Sequence, residues 1–383
     1  MIKEIKAKHI ELFRDQPLLI RAPGRINLIG EHTDYNEGFV LPAAIDKEAV
    51  FAIQFNKLST FRFYAFDLEQ YFETEQIKPA PKEFHWANYL LGVLAQFEKQ
   101  GTQIKGVDCV FGSNIPIGAG LSSSAAIECG FAIGLNEILQ TGFSDFKLVQ
   151  MAQKAEHEYA GVLCGIMDQY ASVFGKKNHV IKLDCRSNTH QYFPFGMKNY
   201  VIALADTKVK HDLASSAYNQ RRIECENGVQ FLKNKGHKIN ALRDVSQELI
   251  ESYKYKLDPA VYKRCHYIIK ENKRVQNACI ALEKNDFNKF GILMYDSHDG
   301  LKNEYEVSCN ELDLLVDLTK NMDYVYGSRM MGGGFGGCTI NLIRKGEELR
   351  FKDLVTKEYL YETGISPNVY FVKISDGGNI LRK

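Results

Sequence analysis

The sequence predicts an α+β fold built from two domains. Its 383 residues exceed the roughly 150 residues of a typical domain, so two domains are expected, each with enough chain to bury a core. Hydrophobic residues make up 45% of the chain and charged residues 25%, as in ordinary globular proteins. Segments with the periodicity of strands alternate with segments that have the periodicity of helices, which favours mixed sheets and helices.

In the first half, strands are expected over 18–22 and 39–55, where apolar, β-branched or aromatic residues stand between turn residues. A third strand is expected around Cys109, since its neighbours alternate with the period of a strand. One helix should end at Gly101, and a second should begin near Ser122. The apolar face of the first helix is Trp86, Tyr89, Leu90, Val93, Leu94 and Phe97, and that of the second is Ile127, Phe131, Leu135, Ile138 and Leu139.

The second half opens with a short apolar run over 201–205, which is typical of a buried strand. Asp258 can cap a helix that has Pro259 at its first position. Further strands are expected over 338–343 and 369–374. The polar stretch 186–196 separates the two halves, so the predicted domains are residues 1–190 and 191–383.

Charge and cysteine content exclude several classes of partner and site. The 48 Lys+Arg and 47 Asp+Glu leave a net charge of +1, which gives no general attraction for nucleic acid or an anionic membrane, so an anion must be held by a local site. The nine cysteines are scattered without C-x-x-C spacing, which favours reduced thiols over disulfides or a zinc site. Neither a signal peptide nor an apolar stretch of ~20 residues is visible, so a cytoplasmic protein is expected.

A first motif, over 21–38, concentrates polar side chains among glycines and turn residues. It contains Arg25 and the two carboxylates Glu31 and Asp34, with His32 and Thr33 between the carboxylates. Carboxylates accept hydroxyl protons in fixed directions, so this arrangement suits a polyhydroxylated ligand. The alternative is a polar surface loop with its own local ion pairs.

A second motif is a glycine turn that leads into the helix expected near Ser122. Backbone N–H groups at such a helix start bind anions, above all phosphate. No lysine follows at Walker spacing, so a cation must come from elsewhere or be a metal, and a serine hydroxyl at this place is a usual ligand of nucleotide-bound Mg²⁺. A plain serine N-cap is the alternative, although three serines exceed what capping needs. The motif comprises Gly118, Ala119, Gly120, Leu121, Ser122, Ser123 and Ser124.

A third motif, over 332–337, satisfies the G-x-G-x-x-G pattern of dinucleotide-binding loops. Its context excludes that interpretation, because such a loop follows a strand and opens a helix, whereas these glycines precede the predicted strand 338–343. Two interpretations remain open. The backbone either approaches a ligand or the other glycine loop closely, or forms a purely structural tight turn.

Asp168 lies in an otherwise apolar, small-residue stretch. An unpaired carboxylate there would be costly, so it should have a cationic or metal partner or a functional task. Arg25 is the obvious candidate partner, and an ordinary N-cap aspartate is the alternative.

These motifs together resemble the galactokinases of the GHMP small-molecule kinase superfamily. The resemblance implies a two-domain GHMP kinase fold, with mixed sheets packed with helices and the active site in the cleft between the domains. Residues 24–36 resemble the galactokinase signature, 116–126 the phosphate loop and 332–337 the C-terminal glycine motif, and further matching segments are 164–169, 215–222, 271–274 and 297–298.

The resemblance implies transfer of the γ-phosphoryl group of ATP to the anomeric hydroxyl of α-D-galactose, giving galactose 1-phosphate and ADP, the first committed step of galactose catabolism. Asp168 would accept the anomeric proton or orient the hydroxyl, and Arg25 would be the transition-state cation. Residues 118–124 would cradle the phosphates of ATP, and Ser124 with Glu156 would hold Mg²⁺. The sugar would be bound by Glu31, His32, Thr33, Asp34, Gly165 and Tyr218.

One departure and two alternatives accompany this resemblance. Ala65 stands where many galactokinases have serine, which puts one contact on the nucleotide side in doubt. The enzyme could instead be a related kinase for N-acetylgalactosamine or arabinose, or the chain could be a silent, sugar-binding regulator, which the intact Arg25, Asp168 and phosphate loop disfavour. Partners should be galactose and ATP, with neither nucleic acid nor membrane, and a monomer is expected.

Overall fold

The computed structural model describes residues 1–116, 118–196, 198–210 and 214–381. The helices are α1 (Ile2–Phe13), α2 (Ala87–Lys99), α3 (Ser123–Leu139), α4 (Asp145–Ala155), α5 (Met167–Phe174), α6 (Ala214–Asn234), α7 (Gln247–Ser252), α8 (Pro259–Glu283), α9 (Phe287–Gly300), α10 (Asn310–Thr319) and α11 (Glu348–Thr363). A turn of π-helix follows α4 over Glu156–Ala160, and another follows α9 over Leu301–Tyr305.

The strands form three sheets of mixed connectivity. They are β1 (Leu18–Asn27), β2 (Phe39–Val40), β3 (Pro42–Phe55), β4 (Phe61–Ala65), β5 (Gln70–Thr74), β6 (Val107–Ser113), β7 (His179–Asp184), β8 (Thr189–Pro194), β9 (Tyr200–Lys210), β10 (Val325–Met330), β11 (Gly336–Arg344), β12 (Asn368–Val372) and β13 (Asn379–Ile380). The largest sheet has the order β13-β1-β3-β6-β4-β5, and the others are β10-β11-β9-β12 and β2-β7-β8. Only β4 and β6 pair in parallel among the described strands.

Helix α3 packs directly on the largest sheet, and glycine makes this possible. A Cβ atom at Gly130 would overlap the ring of Phe51 on β3, and one at Gly134 would meet Ile53 at 2.6 Å. The small residues bring the axis of α3 close to β1 and β3, so the N-terminus of the helix is held at a fixed place above the sheet. This contact fixes the position of the serine-rich loop that opens α3.

The elements predicted in the sequence are present, with some differences in extent. The predicted strand 39–55 is divided into β2 and β3 by Leu41. The strand predicted over 338–343 begins two residues earlier, inside the glycine cluster. All nine cysteines are free thiols, as their spacing predicts. Every helix among the described residues is too short or too polar to cross a membrane.

Two features of the structure bear on the predicted domain boundary at residue 190, and neither is visible in the polarity of the sequence. Residue 190 lies inside β8, which is largely exposed and therefore has the composition of a linker. Strand β13, from the far end of the chain, pairs with β1 in the largest sheet. We therefore propose that the N-terminal domain extends through β8 and also includes residues 379–380.

Candidate active site

A cavity of about 250 Å³ lies where the two halves of the chain meet. The first motif, the segment after α4, helix α6 and the third motif all contribute to its wall. The residues that line it are Arg25, Glu31, His32, Asp34, Glu156, Val162, Cys164, Gly165, Met167, Asp168, Tyr218, Gly332, Gly333, Gly334 and Phe335. Eight of the sixteen predicted site residues line this cavity. The other eight are Thr33 and residues 118–124, the predicted phosphate loop.

Glu31 is held in the wall by a residue that the sequence analysis does not single out. Arg329, fully buried on β10, donates from Nη2 to Glu31 Oε1 at 2.9 Å, and the backbone N–H of Gly332 donates to the same oxygen at 2.8 Å. Arg329 also donates to the carbonyls of Asn27 and Leu28. One guanidinium therefore joins the first motif to the third, and one oxygen of Glu31 is already paired.

His32 is buried and has its backbone in the left-handed region, at φ +63°. Its Nδ1 is 2.8 Å from the hydroxyl of Tyr35, whereas Nε2 has no hydrogen-bond partner among the described residues. Burial lowers the pKa of the imidazole to about 3, so the ring is neutral at physiological pH. A neutral ring with one unpaired nitrogen in the cavity wall is suited to a hydroxyl ligand.

Thr33 and Asp34 differ in their surroundings. The Thr33 hydroxyl donates to the carbonyls of Gly30 (2.8 Å) and Phe39 (2.6 Å), away from the cavity, so it stabilises the turn. Asp34 faces the cavity, and burial, together with repulsion from Asp168, raises the pKa of its carboxyl group to about 7. A Cβ atom at Gly165 would overlap the Asp34 carboxylate, so the glycine makes room for it.

Arg25 and Asp168 form the ion pair that the sequence predicts. Arg25 Nε lies 2.7 Å from Asp168 Oδ1, and Nη2 lies 2.8 Å from Oδ2. Arg25 is 4% exposed, whereas the Asp168 side chain is 24% exposed and faces the cavity. Arg25 Nη1 also donates to the carbonyl of Gly120, and the Ser122 hydroxyl donates to Asp168. The pair therefore connects the cavity to the phosphate loop.

The phosphate loop has backbone angles that glycine permits and few other residues adopt. Gly118 and Gly120 have φ of +77° and +70°, and Ser122 has φ +57°. Ser122 makes no side-chain cap on α3, because its hydroxyl is committed to Asp168. The interpretation of Ser122 as a plain N-cap is therefore wrong. Between these positions Ala119 and Leu121 are buried and anchor the loop.

The two glycine loops lie against each other. A Cβ atom at Gly120 would stand 3.3 Å from the carbonyl oxygen of Met331, and one at Gly332 would stand 3.6 Å from the Cα of Gly120. The third motif therefore approaches both the other glycine loop and the cavity, as one of the two interpretations of its sequence predicts.

Ser124 and Glu156 also meet, although 32 residues separate them. The hydroxyl of Ser124 donates to Glu156 Oε1 at 2.8 Å, and Gln169 Nε2 donates to Oε2 at 2.6 Å. The same Nε2 lies 3.3 Å from a carboxylate oxygen of Glu128, which is fully buried in α3. Burial raises the pKa of Glu156, and burial together with the charge of Glu156 raises that of Glu128 well above its ordinary value.

Tyr218, on α6, closes one side of the cavity. Its ring lies 5.2 Å from that of His32 and 5.5 Å from that of Tyr35, measured between centroids. A Cβ atom at Gly333 would meet the Tyr218 ring at 3.3 Å. The tyrosine therefore packs between the first and third motifs.

A second, apolar cavity of about 520 Å³ adjoins the phosphate loop. Its wall includes Trp86, Tyr89 and Phe111, together with Ser123 of the loop. Ala65 also lies in this wall, so its methyl group adds to an apolar surface where a serine would add a hydroxyl. The size and the aromatic lining suit a heteroaromatic ring held beside the phosphate loop.

Three functional or supporting residues were missed by the sequence analysis: Arg329, Glu128 and Gln169. Gln169 adjoins Asp168, and its position beside a candidate catalytic group is a signal that could have found it. Glu128 lies within the apolar sequence of α3, where an isolated carboxyl group is equally unusual. Arg329 has no local signal, because its partners in the first motif are about 300 positions away in the chain.

Three family models match the chain. The model "GHMP kinases N terminal domain" matches residues 88–176, "Galactokinase galactose-binding signature" matches 7–55, and "GHMP kinases C terminal" matches 279–359. The signature match covers the first motif, and the N-terminal match covers the phosphate loop and Asp168.

Curated relatives and solved structures agree with these matches. A galactokinase of Thermotoga petrophila is 41% identical over 358 residues, covering 94% of this chain and 98% of the relative, and one of Clostridium beijerinckii is 40% identical with 98% of both covered. The crystal structure of Lactococcus lactis galactokinase complexed with galactose has a TM-score of 0.95 at 31% identity, with 99% of each chain covered. A Methanococcus jannaschii mevalonate kinase, 18% identical with a TM-score of 0.63, covering 95% of this chain and 100% of its own, shares the fold. The chain has the two-domain GHMP kinase fold and belongs to the galactokinases.

Proposed function

We propose that this enzyme transfers the γ-phosphoryl group of ATP to the anomeric hydroxyl of α-D-galactose, giving galactose 1-phosphate and ADP. The observation that carries the proposal is the position of Asp168. Its carboxylate faces the cavity walled by the galactokinase signature and also accepts the hydroxyl of Ser122 in the phosphate loop. A group at this junction can act on a sugar hydroxyl beside a bound phosphate.

The geometry of the Arg25–Asp168 pair supports a role for each residue. Phosphoryl transfer depends mainly on positioning and on neutralising charge on the transferring oxygens. Arg25 is buried and holds Asp168 through two hydrogen bonds, so the carboxylate has a fixed direction. Asp168 accepts the proton of the anomeric hydroxyl as it attacks, and Arg25 stabilises the negative charge that develops on the phosphoryl group.

We assign sugar binding to Glu31, His32, Asp34, Gly165 and Tyr218, all of which line the cavity. Glu31 has one oxygen held by Arg329 and Gly332 and can accept a sugar hydroxyl with the other. Thr33 would act only through the turn that it stabilises. These polar groups are suited to hydroxyls at several positions of one sugar ring.

ATP would bind with its phosphates against residues 118–124 and its base in the apolar cavity beside them. Three observations support this assignment: the left-handed glycines of the loop, the N-terminus of α3 and the aromatic side chains of the cavity.

Mg²⁺ fits Ser124 and Glu156. The hydroxyl and the carboxylate are hard oxygen donors that already touch, and Mg²⁺ usually takes few protein ligands and completes its shell with phosphate and water. Among the described residues, no group of three or more His, Cys, Asp or Glu side chains forms a metal cage. When bound, the ion would neutralise charge on the ATP phosphates.

A comparison of sugars tests the substrate. Initial rates with ATP should be highest for galactose, compared with glucose, N-acetylgalactosamine and arabinose, because a hydrogen-bonding site rejects an analogue whose groups it cannot pair. Preference for another sugar would contradict the proposal, and no turnover with any sugar would favour a sugar-binding regulator.

Substitution of Asp168 by Asn tests the mechanism. We expect kcat to fall by about 10²–10⁴-fold, while galactose binding measured by calorimetry is largely retained. The exposed Asp353 on α11 provides the control, and Asp353→Asn should leave kcat unchanged. Full activity of the Asp168 variant would remove its assignment as base.

We also propose that the enzyme works as a monomer in the cytoplasm, without nucleic acid or membrane partners. The near-zero net charge and the nine free thiols support this proposal. Gel filtration with light scattering tests the oligomeric state, and a dimer at micromolar concentration would contradict it.

A further inference from the structure

Behind the sugar cavity, a chain of hydrogen bonds leads away from His32 into the protein. The Tyr35 hydroxyl lies 2.8 Å from His32 Nδ1 and 2.8 Å from the Tyr305 hydroxyl. The Tyr305 hydroxyl in turn lies 3.3 Å from Cys225 Sγ. Tyr305 and Cys225 are buried. The mechanism proposed above uses none of these three partners.

We propose that Tyr35, Tyr305 and Cys225 are positioning residues that keep the proton of His32 on Nε2, so that His32 donates a hydrogen bond to a galactose oxygen. The proposal rests on the proposed function only for the identity of the sugar. The state of the ring itself can be measured without any sugar.

The protons on these four side chains limit the directions in which the hydrogen bonds between them can run. Burial raises the pKa of both tyrosines well above the ordinary value and that of Cys225 to about 12, so all three groups are protonated. The imidazole is neutral and has one proton. Each tyrosine hydroxyl has one proton, so an uninterrupted series in which both hydroxyls donate runs either towards His32 or towards Cys225.

The relative strength of the acceptors selects between the two arrangements. An imidazole nitrogen is a strong acceptor and a phenol is a good donor, whereas a thiol sulfur is a weak acceptor. If the bonds ran towards Cys225, the last bond would be accepted by the thiol sulfur, which is the weakest acceptor of the series. The imidazole lone pair would then lie on Nε2 and would accept no hydrogen bond from the described residues. If they run towards His32, the Tyr35 hydroxyl donates to Nδ1 and the ring proton stays on Nε2, the nitrogen that has no hydrogen-bond partner among the described residues.

The packing of neighbouring rings fixes the orientation of the His32 imidazole relative to the Tyr35 hydroxyl. The His32 centroid lies 4.8 Å from that of Tyr305, 5.2 Å from that of Tyr218 and 5.8 Å from that of Tyr35. The backbone of His32 is fixed as well, since its carbonyl accepts from Asn36 Nδ2 at 2.9 Å. A ring enclosed in this way cannot turn to exchange its nitrogens, so the bond at Nδ1 determines what Nε2 can do.

The first test is nuclear magnetic resonance of protein with ¹⁵N-labelled histidine, in the absence of sugar. The imidazole ¹⁵N–¹H correlation pattern identifies the protonated nitrogen, and His32→Gln assigns the signal by its disappearance. We expect the proton on Nε2 in the wild type and a mixture of both forms in Tyr35→Phe. A proton on Nδ1 in the wild type, or an unchanged pattern in Tyr35→Phe, would overturn the proposal.

The second test separates the KM for galactose from kcat and from the KM for ATP. Tyr35→Phe should raise the KM for galactose roughly 3- to 10-fold, the equivalent of one hydrogen bond, and Tyr305→Phe should raise it less. Cys225→Ala should also raise it, whereas Cys225→Ser, which keeps a donor, should restore it. Equal KM values for galactose across the series would contradict the proposal.

Tyr359→Phe is the matched control for removing a buried hydroxyl. This phenol is fully buried and donates to the Thr207 carbonyl at 2.9 Å, away from the cavity. It should leave the KM for galactose unchanged, and an increase equal to that of Tyr35→Phe would show a general structural effect and overturn the proposal. If galactose is not the substrate, the magnetic resonance result still decides the state of His32.

Discussion

At the scale of single residues, the site depends on one side chain being absent. Gly165 has no Cβ, and the Asp34 carboxylate occupies the space that a Cβ would need. Gly165→Ala should therefore displace Asp34 and raise the KM for galactose by roughly tenfold or more, because a displaced polar group loses its hydrogen bonds to the sugar. Steady-state kinetics would measure this change, and Gly196→Ala, at an exposed position with open space around the added Cβ atom, is the control for the kinetics.

The pKa of Asp34 predicts how stability depends on pH. Its folded-state pKa is raised to about 7, whereas an unfolded aspartate titrates near pH 4. Between about pH 4 and pH 7 the unfolded chain loses this proton while the folded protein keeps it. The stability that Asp34 contributes is therefore fully present below about pH 4 and is lost as the pH rises to 7. Asp34→Asn should raise the melting temperature at pH 8, with a free-energy gain of up to ~4 kcal/mol, and the gain should shrink towards zero near pH 4.

Thermal unfolding between pH 4.5 and 8 measures this effect. Asp353→Asn, which is exposed, should show no such trend. A stability difference for Asp34→Asn that is independent of pH would contradict the raised pKa.

The sequence could predict the residues of the site where motif and chemistry coincide. The Arg25–Asp168 pair was predictable, because a carboxylate in an apolar stretch needs a cation and the first motif supplies one. The partner of Glu31 was not predictable, because Arg329 lies 298 positions away and nothing around it in the sequence marks it. The commitment of the Ser122 hydroxyl to Asp168 instead of a helix cap likewise depends on tertiary structure.

At the scale of elements, two segments meet to form the proposed metal site. Ser124 lies in the first turn of α3, and Glu156 begins the π-helical turn after α4. Ser124→Ala and Glu156→Gln should each raise the Mg²⁺ concentration needed for half-maximal rate by roughly tenfold or more. The measurement is the initial rate against Mg²⁺ at fixed ATP.

Ser144→Ala is the control for this experiment, since it removes the N-cap of α4 without touching the site. It should lower stability by ~1 kcal/mol and leave the Mg²⁺ requirement unchanged. If both site variants keep the wild-type requirement, the ion is held elsewhere.

The spacing of apolar residues predicted the positions of helices and strands better than it predicted their ends. Helix α2 and strand β6 were predictable from apolar spacing. The π-helical turn at Glu156 was not, since one extra residue in a helical turn depends on the packing around it and leaves no mark in the apolar pattern. The break at Leu41 between β2 and β3 was hidden for a related reason, because a continuous apolar run conceals a change of sheet.

At the scale of the whole molecule, Arg329 links the two halves of the chain. Its guanidinium is fully buried and bonded to Glu31 and to three backbone carbonyls. Arg329→Met should destabilise the protein by about 3–5 kcal/mol, because it leaves Glu31 as a buried charge without its partner. Urea unfolding would measure the loss.

Arg344→Met provides the matched comparison. Arg344 pairs with Asp323 and Glu347 at the surface, where ion pairs contribute about 0–1 kcal/mol. A loss for Arg329→Met as small as that for Arg344→Met would show that the buried link contributes little to stability.

The pairing of β13 with β1 has a consequence for how the protein is made. Strand β1 (Leu18–Asn27) is translated well before its partner β13 (Asn379–Ile380), because most of the chain lies between them. Throughout synthesis, the outer edge of β1 therefore has unpaired N–H and C=O groups, which can pair with a strand of another nascent chain. Strand β1 is thus translated long before its pairing can be completed, and a chaperone that shields this edge during translation should increase the yield of folded enzyme.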